Sequence, residues 1–448
     1  MARTFYLHRL GCPKNDVDAD KLAGTLLADG MAPTDDPGAA DVVVVNTCAF
    51  IEAARQESID AILALEERRR VGARLVVTGC LAERYGSELT EALPEVDQVA
   101  GFGVPVTLSV KPAPAVPAFD LLTLPRPRAT APWAYVKIAE GCDRRCGFCA
   151  IPTFRGPQRS RLIDDILREV DELQVREVVL VAQDLAAYGR DRTLPPASRS
   201  AWPGAQPIVP LVRSLAAEHV DRVRLLYLYP SDLTDALIDT ILATGVPYFD
   251  LSLQHVSPSL LRRMRRWGSG GRFLRRIEAI RAREPDAAFR TNFIVGYPGE
   301  TEADHDQLLA FVEAAQLDWC GFFAYSQEEG TYAAGLDGDV PASLVDERLA
   351  ELRTLQDEIT AAKRDALIGT EVSVLVDQPG VARGTREAPE IDGVVRVPEA
   401  LAVGEFHRVV VRDALGPDLV ADLTAAPTAV VDPSGREVHR NPARSAPG

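Results

Sequence analysis

Three of the chain's seven cysteines crowd into one short stretch, EGCDRRCGFCAIP at 140–152. Cys142, Cys146 and Cys149 are spaced C-x3-C-x2-C, with no fourth ligand beside them. Thiolates are soft donors that favour zinc, copper(I) or iron–sulfur centres. A closed zinc site needs four ligands, usually from paired cysteines or histidines. No histidine lies within sixty residues of this run. Three thiolates alone suit an iron–sulfur cube with one iron left open, where a substrate or cofactor could bind.

Three further cysteines share a different pattern. Cys12 follows FYLHRLG, Cys48 follows VVVVNT and Cys80 follows LVVTG, each at the end of a predicted strand and ahead of a predicted helix. In a parallel sheet those ends lie along one edge, the edge where open α/β folds bind ligands. A single cysteine in such a place is ordinarily a core thiol. Three in equivalent places point to a second three-cysteine cluster. Cys320, inside a later strand pattern, has no such partners and reads as core.

These residues need a scaffold, and the pattern around them supplies one. Residues 1–110 alternate strand-like and helix-like stretches, which predicts a parallel α/β sheet. Six prolines between 111 and 132 mark a linker, placed at 111–130. Over 131–367, six strand patterns (AYVKIA, EVVLVA, VRLLYLY, YFDLSL, FRTNFIV, CGFFAY) alternate with helical ones and predict a full or partial TIM-like βα barrel. The first cysteine run follows AYVKIA, at the face where barrel active sites lie. Residues 368–430 turn to short β-rich runs, the signature of a small β-barrel. The tail, 431–448, is expected to be disordered.

The chain has 448 residues, 46% hydrophobic and 25% charged. That is enough to bury several cores without disulfides. Its first residues show no apolar signal region, and runs such as VVVV at 42–45 are too short to span a membrane. A cytoplasmic location is expected, where cysteines stay reduced. A net charge of −16 argues against broad nucleic-acid binding.

C-x3-C-x-aromatic-C at the end of a first barrel strand resembles the radical S-adenosylmethionine superfamily. The resemblance implies that S-adenosylmethionine chelates the open iron of a 4Fe–4S cluster and is cleaved to a 5′-deoxyadenosyl radical. Phe148 matches the aromatic position, and GYPGET (296–301) would lie near the cofactor through Gly296, Gly299 and Glu300. A plain strand-to-helix turn capped by Thr301 is the competing reading of GYPGET.

LGCPKNDVD, VNTCAFIEAARQESID and TGCLAERY resemble the amino-terminal domain of the methylthiotransferases, a family in which a radical barrel and a small TRAM β-barrel follow. The resemblance runs through all three predicted units, in that order. It implies a multidomain α/β fold and a second 4Fe–4S cluster, on Cys12, Cys48 and Cys80, that carries or activates the inserted sulfur. It also implies a reductant such as flavodoxin or ferredoxin. LQHVSPSLLRRMRR (253–266) and APEIDGVV (388–395) resemble the branch that modifies the β-carbon of an aspartate in a basic small-subunit ribosomal protein near the decoding centre. The protein would be met free or within the assembled subunit. The branch acting on a transfer RNA adenosine is the alternative, and a non-catalytic iron–sulfur protein is a third class. RMRRWGSGG lacks a common proline, and AQDLAAYG carries alanines at commonly polar positions, so details of the substrate loop stay open.

Charge favours the protein substrate over transfer RNA. Residues 371–426 hold ten acidic and five basic residues, a balance of −5, with Glu387, Glu390 and Asp392 read as part of an acidic face. Phosphate-binding surfaces are basic, and an acidic face suits a basic protein. The arginines at 262, 263, 265, 266, 272, 275 and 276 run the other way, as a solvated helix face or a contact for ribosomal RNA or a carboxylate.

Overall fold

The computed structural model describes residues 3–106, 120–192 and 206–424. Part of the expected linker (111–119) and the expected tail (431–448) therefore lie outside the described residues.

The amino-terminal unit is a five-stranded parallel sheet in the order β2-β1-β3-β4-β5. Its strands are β1 (Thr4–Arg9), β2 (Ala32–Pro33), β3 (Val42–Thr47), β4 (Arg74–Gly79) and β5 (Gln98–Ala100). Every residue of β3, VVVVNT, is buried, as a central parallel strand covered on both faces requires. Helices α1 (Pro13–Ala28), α2 (Glu52–Arg68) and α3 (Cys80–Ala92) follow β1, β3 and β4. Pro13 opens α1, where its fixed φ and missing N–H cost nothing.

The second unit carries six parallel strands in chain order. They are β6 (Trp133–Lys137), β9 (Glu177–Val181), β10 (Arg222–Leu225), β11 (Tyr248–Gln254), β12 (Ala288–Val295) and β13 (Trp319–Ala324). Between β6 and β9 lies a small antiparallel pair, β7 (Ala139–Glu140) with β8 (Arg159–Ser160). Two three-stranded sheets, β10-β9-β6 and β11-β12-β13, meet through one parallel bridge between Leu228 and Leu251. No pairing closes β6 onto β13 among the described residues, so the expected TIM-like barrel is the partial form. The predicted strand VRLLYLY is cut short: Tyr227 adopts φ +64°, and the Asp250 carboxylate takes its backbone N–H.

The third unit is a closed barrel, ordered β14-β15-β16-β18-β17. It is built from β14 (Glu371–Gln378), β15 (Val381–Arg383), β16 (Val395–Arg396), β17 (Phe406–Leu415) and β18 (Asp418–Leu423). It seals the bottom of the large barrel, where the parallel strands begin. Glu177, the first residue of β9, accepts from Arg224 Nε at 2.9 Å and from Arg383 Nη1 at 3.2 Å. Tyr135 Oη donates to Pro389 O at 2.9 Å, and Trp319 Nε1 donates to Arg386 O at 2.7 Å.

This docking corrects the reading of the acidic face. Glu387 is buried and accepts from Arg364 and the Gly384 N–H. The Asp392 side chain is fully buried against Tyr248, Arg290 and the Ala388 N–H. Of the three named acids only Glu390 is exposed. APEIDGVV therefore joins two domains, and of its two acids Asp392 is spent inside the molecule. The described part of the expected linker is likewise packed. Lys21 Nζ donates to Leu122 O and Leu124 O at 3.0 Å each, and Leu121 and Leu122 are buried.

Candidate active site at the junction of the two α/β units

The first cysteine run forms a loop above β6 that the local backbone dictates. Gly141 has φ +78°, and a Cβ there would lie 2.1 Å from Pro157 O. Only glycine fits such a position. Cys142 N–H donates to Gly156 O at 3.0 Å, and Gly147 N–H donates to Met264 O at 2.8 Å. These bonds fix both ends of the loop. Arg144 pairs with Asp184 and Asp232, and Arg266 donates to Cys146 Sγ at 3.4 Å. The Arg144 and Arg266 guanidiniums both stack on Tyr229, 3.8 and 3.9 Å from its ring centroid, within cation–π range. Arg266 thus leaves the expected basic surface and serves the cysteine loop.

Burial pushes the Cys142 thiol up to about 11 and the Cys149 thiol up to about 12, and the neighbouring cysteines add to both shifts. Left alone, such thiols stay protonated at neutral pH. A cationic iron centre is what would make them ligands, and an all-thiol donor set suits it. Among the described residues, no three His, Cys, Asp or Glu side chains already stand together as a metal-holding group.

The expected cofactor contacts divide. Phe148 packs against a small cluster of Leu260, Met264, Tyr297 and Ala333. Gly296 (φ +80°) and Gly299 (φ +83°) lie in the left-handed region, where glycine is the residue that fits without strain. Glu300, whose side chain is fully buried, accepts from the N–H groups of Gly296 and Tyr297 and from Arg348. Its carboxylate shapes the turn and is not free to reach a ligand. Thr301 and Asp304 form a capping box on the next helix, so the turn-and-cap reading also holds. In the Gln254–His255 pair, Gln254 takes φ +71°, and His255 is buried and accepts from Ser257 N–H at 3.0 Å. Burial lowers His255 to about 4, so it is neutral and structural.

The second set of cysteines lies as the strand order demands, because β1, β3 and β4 are neighbours. Cys12 caps α1, Cys48 follows β3 and Cys80 begins α3. Burial raises Cys48 to about 12, with Cys12 and Cys80 adding to the shift. Gly79, at φ +90°, makes the tight turn into Cys80; a Cβ there would lie 2.5 Å from Asn46 Oδ1. Cys320 sits in β13, packed against the barrel core, as expected.

Sequence reasoning missed the groups that join the two sets. Asp18 of α1 pairs with Lys137 at the end of β6, and Lys137 Nζ donates to Glu140 at 2.6 Å. Arg155 donates to Glu140 at 2.9 Å, to Asn15 Oδ1 at 2.7 Å and to Cys80 Sγ at 3.0 Å. The available signal was Lys137, a charge inside an apolar strand. A second tie comes from Glu328, which accepts from Arg84 at 2.8 Å and from Arg55.

Three family models match the chain: uncharacterized protein family UPF0004 at 4–101, the radical SAM superfamily at 136–312 and the TRAM domain at 368–423. The chain is similar to several proteins named ribosomal protein uS12 methylthiotransferase RimO. The relative from Moorella thermoacetica is 44% identical over 87% of this chain and 91% of its own. That from Anaeromyxobacter sp. (strain K) is 42% identical over 100% and 96%. That from Frankia casuarinae is 39% identical over 96% and 95%. A solved radical S-adenosylmethionine methyltransferase, TsrM from Kitasatospora setae, is 16% identical, covers 74% of each chain and has a TM-score of 0.48. No described helix is long and apolar enough to cross a membrane. The superfamily match brings S-adenosylmethionine and an iron–sulfur cluster to the barrel. With relatives at about 40% identity along nearly its whole length, the chain belongs to the RimO family of radical S-adenosylmethionine methylthiotransferases.

Proposed function

We propose that this protein places a methylthio group on the β-carbon of an aspartate in ribosomal protein uS12, in the cytoplasm, either free or within the small subunit. The observation that carries the reading is the full-length similarity to relatives named for that activity. On this reading Cys142, Cys146 and Cys149 hold one 4Fe–4S cluster and Cys12, Cys48 and Cys80 a second. Phe148, Gly296 and Gly299 border the S-adenosylmethionine site, with Glu300 holding the turn that presents them. Units 1–110, 131–367 and 368–430 are the methylthiotransferase, radical and TRAM domains, and flavodoxin or ferredoxin supplies electrons. When bound, the cluster and S-adenosylmethionine supply a radical able to break an unactivated C–H bond, chemistry beyond acid–base side chains.

The protein's own residues prepare that chemistry. Gly141 lets the cysteine loop turn back on itself, and Arg266 places positive charge beside Cys146. Exposed Glu399, Glu405 and Asp413, which form no ion pair among the described residues, offer the terminal barrel's remaining negative charge to a basic substrate. The test is mass spectrometry of uS12 and of transfer RNA after anaerobic incubation with reconstituted enzyme, S-adenosylmethionine, a sulfide source and a reductant. A methylthio mass gain on uS12 alone is expected. A gain on transfer RNA alone would overturn the substrate while leaving the radical chemistry standing.

A further inference from the structure

Arg155 ends α4 (Ile151–Arg155), the short helix just after Cys149, yet it reaches into the amino-terminal unit. Its side chain is only 3% exposed. Nη1 meets Glu140 at 2.9 and 3.0 Å and Asp18 at 3.4 Å, whereas Nη2 meets Asn15 Oδ1 at 2.7 Å and Cys80 Sγ at 3.0 Å. Phe102 covers it, with the guanidinium 4.5 Å from the ring centroid. Within this buried group two carboxylates, Asp18 and Glu140, already balance two cations, Lys137 and Arg155. The ion pairing is complete without the sulfur. The N–H···S contact is additional, and it aims a fixed positive charge at one cysteine of the second set.

We infer that Arg155 is a positioning residue for the amino-terminal cluster, holding Cys80 and raising that cluster's reduction potential; this rests on the proposed second cluster. Reduction adds negative charge that spreads onto the ligating sulfurs. A charge-assisted hydrogen bond to one of them favours the reduced state. The donor belongs to the radical domain, so this tuning exists only when the two α/β units are docked. Glu140 lies two residues before Cys142 and Arg155 six after Cys149, so one ion pair brackets the first cysteine loop while serving the second site.

The test uses the full chain with Cys142→Ala, Cys146→Ala and Cys149→Ala, reconstituted anaerobically so that only the amino-terminal cluster reports. Iron content, electron paramagnetic resonance and a redox titration are then compared with and without Arg155→Gln and Arg155→Lys. Arg155→Gln is expected to keep its iron but show a lower midpoint potential and altered g-values. Arg155→Lys, which keeps the charge but not the planar fork, should fall between. An unchanged midpoint and spectrum in Arg155→Gln would overturn the inference. Should Arg155→Gln fail to hold iron, Arg155→Lys decides: a shifted spectrum supports the inference and an unshifted one overturns it. Absence of iron from the parent triple variant would instead overturn the two-cluster reading.

Discussion

Replacing Glu177 by Gln should release the terminal barrel from the floor of the large one. The Glu177 side chain is fully buried, as is that of Arg224, and Arg383 is 2% exposed. Burial alone would raise its pKa. Arg383, Arg224 and Arg222 more than reverse that and hold it at about 2, against an ordinary 4.5. A group so depressed contributes stability that is present above its unfolded pKa and is lost as pH falls from about 4.5 toward 2. The shift corresponds to about 3 kcal/mol. Removing one partner of a buried ion pair costs roughly 3–5 kcal/mol by independent reasoning, so the two scales agree. Trp133 and Trp319 report the event, because Arg383 lies over the Trp133 ring and Trp319 donates to Arg386 O. Their fluorescence in urea should show undocking at a markedly lower midpoint in Glu177→Gln at pH 7. The gap from the parent should begin to shrink as pH falls below about 4.5 and close only as it approaches about 2. A gap below about 1 kcal/mol at pH 7, or one that persists unchanged to low pH, would refute the ion-pair account.

Three other outcomes are expected. Gly141→Ala should prevent the first cysteine loop from forming, since its Cβ would overlap Pro157 O; reconstituted iron should fall by about half and S-adenosylmethionine cleavage should be lost. Asp392→Lys puts a second cation at a fully buried position beside the half-buried Arg290 and should destabilise docking by roughly 3–5 kcal/mol, read by the same fluorescence. Glu399→Lys, Glu405→Lys and Asp413→Lys together should slow modification of uS12. The deficit should shrink as salt rises, because exposed charges are screened over about 8 Å at physiological ionic strength; a deficit independent of salt would argue against electrostatic docking.

Local pattern carried the elements well. Val42–Thr47 and the six barrel strands all lie within a few residues of their expected places, because each is an apolar run bounded by turn residues. The parallel sheet followed too, and with it the edge shared by Cys12, Cys48 and Cys80; that β1, β3 and β4 are direct neighbours came from the structure. What stayed hidden was pairing across distance. Glu177 and Arg383 stand 206 residues apart and Arg155 and Cys80 stand 75 apart, and nothing local distinguishes such charges from solvated ones. For the same reason Glu387 and Asp392 read as surface acids, and Glu300 as a ligand contact. A carboxylate that serves a turn or a neighbouring domain looks, in sequence, like one that faces water. Lys137 and Arg224 were the available clues, since a charge inside an apolar strand must find a partner.

The bottom of the large barrel also sets an order of assembly. Glu177 and Arg224 lie in strands made first, whereas Arg383 and the 388–392 stretch emerge some two hundred residues after Glu177. At the ~5–20 residues per second of translation, the two hundred or so intervening residues take roughly ten to forty seconds. During that interval the growing chain carries a carboxylate and two arginines at an uncovered floor that has not yet met its lid. Cys80 waits as well: it is made before Arg155, so the guanidinium reaches its sulfur only once the start of the second unit has been made and docked.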